Sequence, residues 1–243
     1  MSDKLNVVCL KWGTKYSADY VNRLFHMVSR NLSRPFCFHC LTEDPDGLDR
    51  AIVPLALETS PDLAGWWYKL SLFREEFFGL SGPLLYLDLD VVIVDSVDFL
   101  ADLPGDFLII RNWSRNLMWN SSVMRFTVGK YGHIWERFQN DSKSIMRDYN
   151  GDQEWIFTCV PEAGNWPANK IVSYKKSLDS RAFPLLDKLG LERWGLKAPD
   201  WMDTSLPPGA AIVVFHGKPD PEDVVNGPYG LWKRASFVAT HWR

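Results

Sequence analysis

Leu84-Leu85-Tyr86-Leu87-Asp88-Leu89-Asp90-Val91-Val92 is the stretch on which the reading of this chain turns. Its four leading apolar residues follow the breaker Ser81-Gly82-Pro83 and suit a strand covered on both faces, as in parallel sheets. At its C-terminal end this strand delivers two carboxylates separated by one residue. Side chains alternate along a strand, so Asp88 and Asp90 are expected to point the same way, roughly 7 Å apart at Cα. Among Leu, Val and Ile, such carboxylates are costly to ionise unless a cation or strong donors meet them. A hard divalent ion, Mg²⁺ or Mn²⁺, answers that need and keeps positions for substrate phosphates. Ligands of open α/β sheets also gather at the carboxyl ends of the strands. The plain alternative is an Asp pair that only caps or solubilises a strand end.

On the N-terminal side, strand-like and helix-like segments alternate. Leu5 to Leu10 reads as a strand, and Lys11-Trp12-Gly13-Thr14-Lys15 as a loop. From Tyr16 to Asn31, Tyr20, Leu24, Phe25 and Val28 recur at helical spacing, with Ser17 as the N-cap. Phe36 to Leu41 and Ala51 to Leu55 read as further strands. Trp66 to Phe78 reads as a helix with Leu70, Phe73 and Phe77 on one face. Alternation of this kind implies a mostly parallel sheet flanked by helices, with right-handed crossovers.

Downstream of the acidic pair, Phe107–Ile110, Ser122–Phe126, Ile171–Tyr174 and Ala211–Phe215 read as strands. Gly132–Phe138 and Gln153–Cys159 read as helices. Ser177 to Gly209, with Pro184, Pro199, Pro207 and Pro208, has no period and is expected to be irregular structure near a binding face.

The 243 residues are enough for one large α/β domain, and 46% hydrophobic with 23% charged residues is the balance of a globular core. A net charge of -3, with both signs interspersed, leaves no positive field for nucleic acid. The run Leu5–Leu10 is too short and wrongly flanked for a signal peptide, and no apolar stretch approaches the roughly 18 residues of a membrane span. A cytoplasmic protein is expected, with peripheral contact at the inner face of a membrane left open. Cys37 and Cys40 form a Cys-x-x-Cys around His39, but no second ligand pair follows, and Pro35 to Leu41 reads as a buried strand with inert thiols. The 12 Trp residues include Trp113, Trp166, Trp194 and Trp201 in polar or Pro/Gly-rich stretches. Indoles offer sugars a flat apolar face and a donor, although packing is the ordinary role of any one of them.

Further motifs follow a set order: Lys69, Asp88-Leu89-Asp90, Asn120-Ser121-Ser122, Asp152-Gln153-Glu154 and His216-Gly217-Lys218-Pro219. This order resembles the GT-A glycosyltransferases, in particular the family-8-like group that includes glycogenin and bacterial lipopolysaccharide galactosyltransferases. The resemblance spans nearly the whole chain and rests on five motifs in sequence rather than on any one. It implies a GT-A fold over 1–243, with a nucleotide- and metal-binding half (1–110) and a sugar- and acceptor-binding half (111–243).

The resemblance further implies Asp88, Asp90 and His216 as metal ligands and Lys218 on the diphosphate. Lys69 would reach an Asp of the motif or the donor. Asn120 and Asp152 would bind donor-sugar hydroxyls, with Gln153 near the reacting carbon. Here Ser121-Ser122 departs from the small residue and Gly usual after the Asn, which leaves the sugar pocket's shape open. Asp152 could instead be the N-cap of the helix it opens. Tyr16 is a candidate for stacking on the nucleotide base, with helix-start packing as its alternative.

The function implied is metal-dependent transfer of a hexose from a nucleoside diphosphate sugar, UDP-linked, to an acceptor hydroxyl, with retention. The acceptor, a glycan, lipid or small molecule, is not legible. Two other classes stand beside this one. A sugar-phosphate nucleotidyltransferase uses a similar sheet, but the loop after the first strand has one Gly where such enzymes have several. A non-catalytic sugar-binding protein of the same fold would have no use for both Asp residues and His216.

Overall fold

A computed structural model describes residues 4–60, 62–63, 65–114, 118–183 and 197–243. The chain divides into two compact units: Met1–Phe25, Arg34–Leu89 and Asp98–Trp166 form the first, and His26–Ser33, Asp90–Val97 and Pro167–Arg243 the second.

The first unit holds a seven-stranded sheet. Its strands are β1 (Leu5–Lys11), β2 (Phe36–Thr42), β3 (Ile52–Ala56), β4 (Pro83–Leu87), β6 (Phe107–Arg111), β7 (Trp119–Thr127) and the two-residue β8 (Gly164–Asn165), in the order β3-β2-β1-β4-β7-β6-β8. β1 pairs in parallel with β2 and β4, β2 with β3, and β6 with β8, while β7 runs antiparallel to β4 and β6. The mostly parallel α/β sheet expected from the sequence is therefore present. Strands covered on both faces need apolar residues throughout, and Leu84, Leu85, Tyr86 and Leu87 are all buried. β3 lies at one margin and carries Pro54, a residue that sheets tolerate at their edges. β2 presents Cys37 and Cys40 to opposite faces by strand alternation, so the Cys-x-x-Cys is not a chelating pair.

Helix α1 (Ala18–Asn31) follows Ser17, whose carbonyl accepts from Tyr20 N–H at 3.1 Å. Its apolar face, Tyr20, Val21, Leu24, Met27 and Val28, is buried at the expected 3.6-residue spacing. α3 (Gly132–Asn140) and α5 (Asp152–Cys159) also stand where expected.

Three expectations need correction. The helix expected over Trp66–Phe78 is a 3-10 helix, Gly65–Phe73, buried from Trp67 to Phe73. A segment apolar on nearly every side has no 3.6-residue stripe to hold it in an α-helix, and its contacts with the sheet decide its winding. The strand expected over Ser122–Phe126 extends to Trp119–Thr127, so the Asn120-Ser121-Ser122 motif lies within β7 rather than before it. Finally, β4 stops at Leu87 and β5 (Val91–Ile93) belongs to another sheet, which puts Asp88-Leu89-Asp90 in the connecting turn rather than at the end of a continuous strand.

The sequence reading also passed over α4 (Ser142–Asp148) and the one-turn α2 (Phe99–Asp102). The α2 region is fastened by Arg125, a buried β7 residue whose guanidinium donates to the carbonyls of Leu100, Leu103 and Gly105.

The second unit holds a three-stranded sheet, β5-β10-β9, with β9 (Ile171–Ser173) parallel and β5 antiparallel to β10 (Ile212–Val214). Short helices Pro221–Val224 and Phe237–His241 follow. Of the segment 177–209, residues 177–183 and 197–209 are described and contain turns and isolated bridges, in line with the irregular structure expected. Trp194 lies outside the described residues.

Candidate active site

In the first unit, the C-terminal end of β4 carries a buried polar cluster. Lys69 Nζ lies 2.9 Å from Asp88 Oδ1, 3.2 Å from Asp88 Oδ2, 3.0 Å from Ser121 Oγ and 3.6 Å from Asp152 Oδ2. The Ser121 hydroxyl donates to Asp152 Oδ2 at 2.5 Å, and the Tyr86 hydroxyl donates to Asp88 Oδ1 at 2.7 Å. Three segments far apart in sequence thus meet on one ammonium.

Each member is placed for a local reason. Lys69 projects from the 3-10 helix, and its side chain is only 6% exposed. Ser121 sits where β7 leaves the β6 ladder: Ile109 faces Met124 but Ile110 faces Asn120, and the irregularity frees the intervening residues to aim elsewhere. Asp88 remains tied to β7 through its N–H on the Ser122 carbonyl, 2.9 Å away. Asp152 opens α5, where unpaired N–H groups favour a negative charge. The N-cap position itself is Gly151, so the alternative reading of Asp152 as the N-cap is not met.

Two carboxylates share one ammonium, a formal charge of about -1 with both ionised, and Lys69 and Asp152 are withdrawn from water while Asp88 is partly open to it. Burial pushes the Asp152 carboxyl above the usual carboxylate range against the pull of Lys69 and Ser121. Burial, and then Asp88, hold the Tyr86 phenol well above its ordinary value, so it stays a donor.

Gln153, the residue after Asp152, has a buried Oε1 without a hydrogen-bond partner among the described residues. A buried acceptor left unpaired costs about 1–3 kcal/mol, which a ligand donor could recover. Asn120 is buried in β7, where its Oδ1 accepts from Ser122 N–H at 3.1 Å. Tyr16, half-buried before α1, packs its ring 4.6 Å from that of Tyr20, and Lys15 Nζ donates to its hydroxyl at 2.7 Å. Of the tryptophans singled out, Trp166 is a core residue whose Nε1 donates to the Val123 carbonyl at 3.0 Å, while Trp201 is 77% exposed.

The second unit holds Asp90, His216 and Lys218. Phe215 N–H donates to the Asp90 carbonyl at 2.9 Å, which sets the start of β5 beside the end of β10. His216 Nε2 is 2.7 Å from Ser173 Oγ, and Lys175 Nζ donates to the His216 carbonyl at 2.8 Å. Burial, then the charges of Lys175 and Lys176, lower the imidazole to about 4, so it is neutral at ordinary pH. Gly217 has φ +67°, a left-handed turn that suits glycine; a Cβ there would meet nothing closer than Lys175 Nζ at 3.7 Å. Lys218 is 53% exposed and paired with Asp223 at 2.8 Å and Asp220 at 3.1 Å. The same two acids close a capping box on the helix Pro221–Val224.

Among the described residues, no three His, Cys, Asp or Glu side chains are already gathered as a cation site. The donor chemistry nonetheless fits a divalent ion residue by residue. Asp88 belongs to a cluster with surplus negative charge, Asp90 is a carboxylate two residues on, and neutral imidazole is the form of His216 that can coordinate.

Sequence reasoning missed two cluster members. Tyr86 sits in an apolar run that reads only as packing, yet its hydroxyl reaches Asp88 just past the end of β4. Ser121 was read as a departure from a pattern, and nothing in its neighbours announces the bond to Asp152.

No protein-family model and no curated sequence matches the chain. Solved structures do. The glycosyltransferase GlyE of Streptococcus pneumoniae TIGR4 superposes with a TM-score of 0.61 at 14% identity, covering 90% of this chain and 56% of that one. The galactosyltransferase LgtC, solved with donor and acceptor sugar analogues, superposes with a TM-score of 0.56 at 14% identity, covering 89% of this chain and 88% of that one. The chain therefore spans little more than half of the GlyE chain. At this identity the likeness establishes the fold, and the expected GT-A architecture is present.

Proposed function

We propose that this chain, which shares its fold with GlyE and LgtC, is a metal-dependent glycosyltransferase that moves a hexose from a UDP-linked sugar to an acceptor hydroxyl with retention. The observation that carries this reading is the convergence of the partly exposed Asp88 with the buried Asp152, Ser121 and Lys69 at the C-terminal end of β4, the edge at which open α/β sheets bind ligands. Buried charge that no packing requirement explains is characteristic of sites that do chemistry.

In this reading Asp88, Asp90 and His216 hold Mn²⁺ or Mg²⁺, which when bound supplies Lewis-acid stabilisation of the departing diphosphate. Lys218 offers a second positive charge to the same oxygens, its ammonium kept protonated by Asp223 and then Asp220. Asp152 and Asn120 orient the sugar by accepting from and donating to its hydroxyls. Gln153 presents its unpartnered oxygen to the sugar near the reacting carbon. Lys69 fixes the Asp88 and Asp152 carboxylates, and Tyr16 stacks on the base. The acceptor is a hydroxyl of a glycan, a lipid or a small molecule, and the enzyme works in the cytoplasm or at the inner membrane face. Among the described residues, no helix is long and apolar enough to cross a membrane.

The test is incubation with a panel of nucleotide sugars and Mn²⁺, assayed for released nucleoside diphosphate. UDP release from one UDP-hexose supports the reading. Pyrophosphate release from a nucleoside triphosphate would instead identify a nucleotidyltransferase, and glycan binding without turnover a sugar-binding protein.

A further inference from the structure

Trp66 is 54% exposed, whereas every residue from Trp67 to Phe73 in the same 3-10 helix is buried. A single exposed aromatic is ordinary. What sets this one apart is how it is held. A Cβ on Gly151 would lie 2.9 Å from the indole Nε1 and 3.2 Å from Cδ1, so the ring rests against the Gly151 backbone where any side chain would displace it. Gly151 has φ 172°, extended backbone open to all residues, so its missing side chain serves the indole rather than the turn.

The same ring is tied to the polar cluster from two directions. Gly151 is the N-cap of α5 and directly precedes Asp152 and Gln153. In a 3-10 helix, side chains at i and i+3 eclipse one another, so Trp66 shares a face with Lys69, whose ammonium ends on Asp88 and Asp152. An orientation-fixed indole open to solvent thus rests on the residue directly before Asp152 and Gln153, and the Gln153 Oε1 is buried without a partner among the described residues. A pyranose asks for this pairing, because it carries an apolar C–H face and hydroxyls around its rim.

We propose that Trp66 is a stacking platform for a pyranose ring beside Asp152 and Gln153, either the hexose of the donor or a sugar of the acceptor. This deepens the transferase reading and rests on it for the role of the sugar, but its test is separable.

The full chain is labelled with 5-fluorotryptophan, and Trp66→Phe identifies the Trp66 fluorine signal. UDP, UDP-hexoses with Mn²⁺, and methyl glycosides of glucose, galactose, mannose and N-acetylglucosamine are titrated separately. The glycosides are also added to protein loaded with UDP and Mn²⁺. The Trp66 signal is expected to move with a pyranose-bearing ligand and not with UDP alone. Trp66→Ala should weaken that ligand about tenfold, and Trp66→Phe by about threefold or less. Gly151→Ala, which pushes the ring aside, should weaken it in the same direction while leaving the unfolding transition cooperative. A response to UDP-hexose assigns the platform to the donor; a response to a glycoside on the UDP-loaded protein assigns it to the acceptor. If a UDP-hexose binds by calorimetry with the Trp66 signal unmoved and Trp66→Ala unaltered, and no glycoside moves the signal, the platform is refuted and the transferase reading stands. A glycoside that moves the signal while nucleotides do not bind keeps the platform and removes the transferase. Absence of all binding overturns both.

Discussion

Lys69 and Asp152 face each other across 3.6 Å with side chains only 6% and 5% exposed, and the same ammonium is also closer to Asp88. One buried cation therefore restrains two carboxylates, Asp152 buried and Asp88 partly exposed, and the first consequence concerns its removal. Breaking a buried ion pair from one side is costly because the remaining charge has no solvent to turn to. Lys69→Met should lower folding stability by roughly 3–5 kcal/mol at pH 7. The deficit should shrink on acidification as the Asp152 carboxyl, raised by burial, takes up its proton. Urea denaturation at pH 7 and at a lower pH checks this; equal deficits at both would remove the electrostatic explanation.

Asp152 supplies a second pH prediction. Its folded-state carboxyl titrates above its unfolded value of 3.8 because burial disfavours the anion. The folded state then binds more protons than the unfolded one between those two values, so stability falls as pH rises through that window and levels off above it. Asp152→Asn keeps a hydrogen-bonding side chain without the charge. The variant should match or exceed the parent's melting temperature at pH 7, lose the acid-side slope, and release no UDP from a UDP-hexose. A variant less stable than the parent at pH 7 would contradict the cost assigned to this buried anion.

His216 runs the other way. Its imidazole falls from 6.5 to about 4 on folding, so between those values the unfolded chain holds the extra proton. Stability should decline as pH drops from 6.5 toward 4, and His216→Asn should flatten that part of the profile. Thermal melts across this range without metal provide the measurement, and an unchanged slope in the variant would place the titration elsewhere.

The proposed cation is addressed by Asp90→Ala. UDP with Mn²⁺ should raise the melting temperature of the parent protein, since a ligand bound only by the folded state stabilises it by mass action. In the variant that increment should vanish while the ligand-free melting temperature changes little. Retention of the increment would show that Asp90 does not hold the ion.

The parts of this molecule legible in its sequence are those fixed by local periodicity. β4 announces itself because a strand buried on both faces must be apolar throughout, and α1 because one face of it must be. The 3-10 helix Gly65–Phe73 escapes the same reading, since burial on nearly all sides erases the stripe that tells one helix type from another. α4 escapes for the opposite reason: Ile145 is its buried residue, too little for a pattern. In the site, Asp88, Asp152 and Lys69 could be singled out by motif order, but the bond that joins them through Ser121 depends on an irregularity in β7 that leaves no mark on composition. Trp66 is one indole among 12 in the sequence, and what distinguishes it is Gly151, 85 positions away, against which its ring rests.

The margins of the seven-stranded sheet carry a further consequence. At one side β3 contains Pro54, which has no N–H to offer a newcomer, and at the other β8 is two residues long. Neither border gives a neighbouring molecule a long row of backbone groups to zip onto. Crowded copies of this chain should therefore resist joining into fibres through this sheet, and Pro54→Val is the change that would reopen one border to such growth.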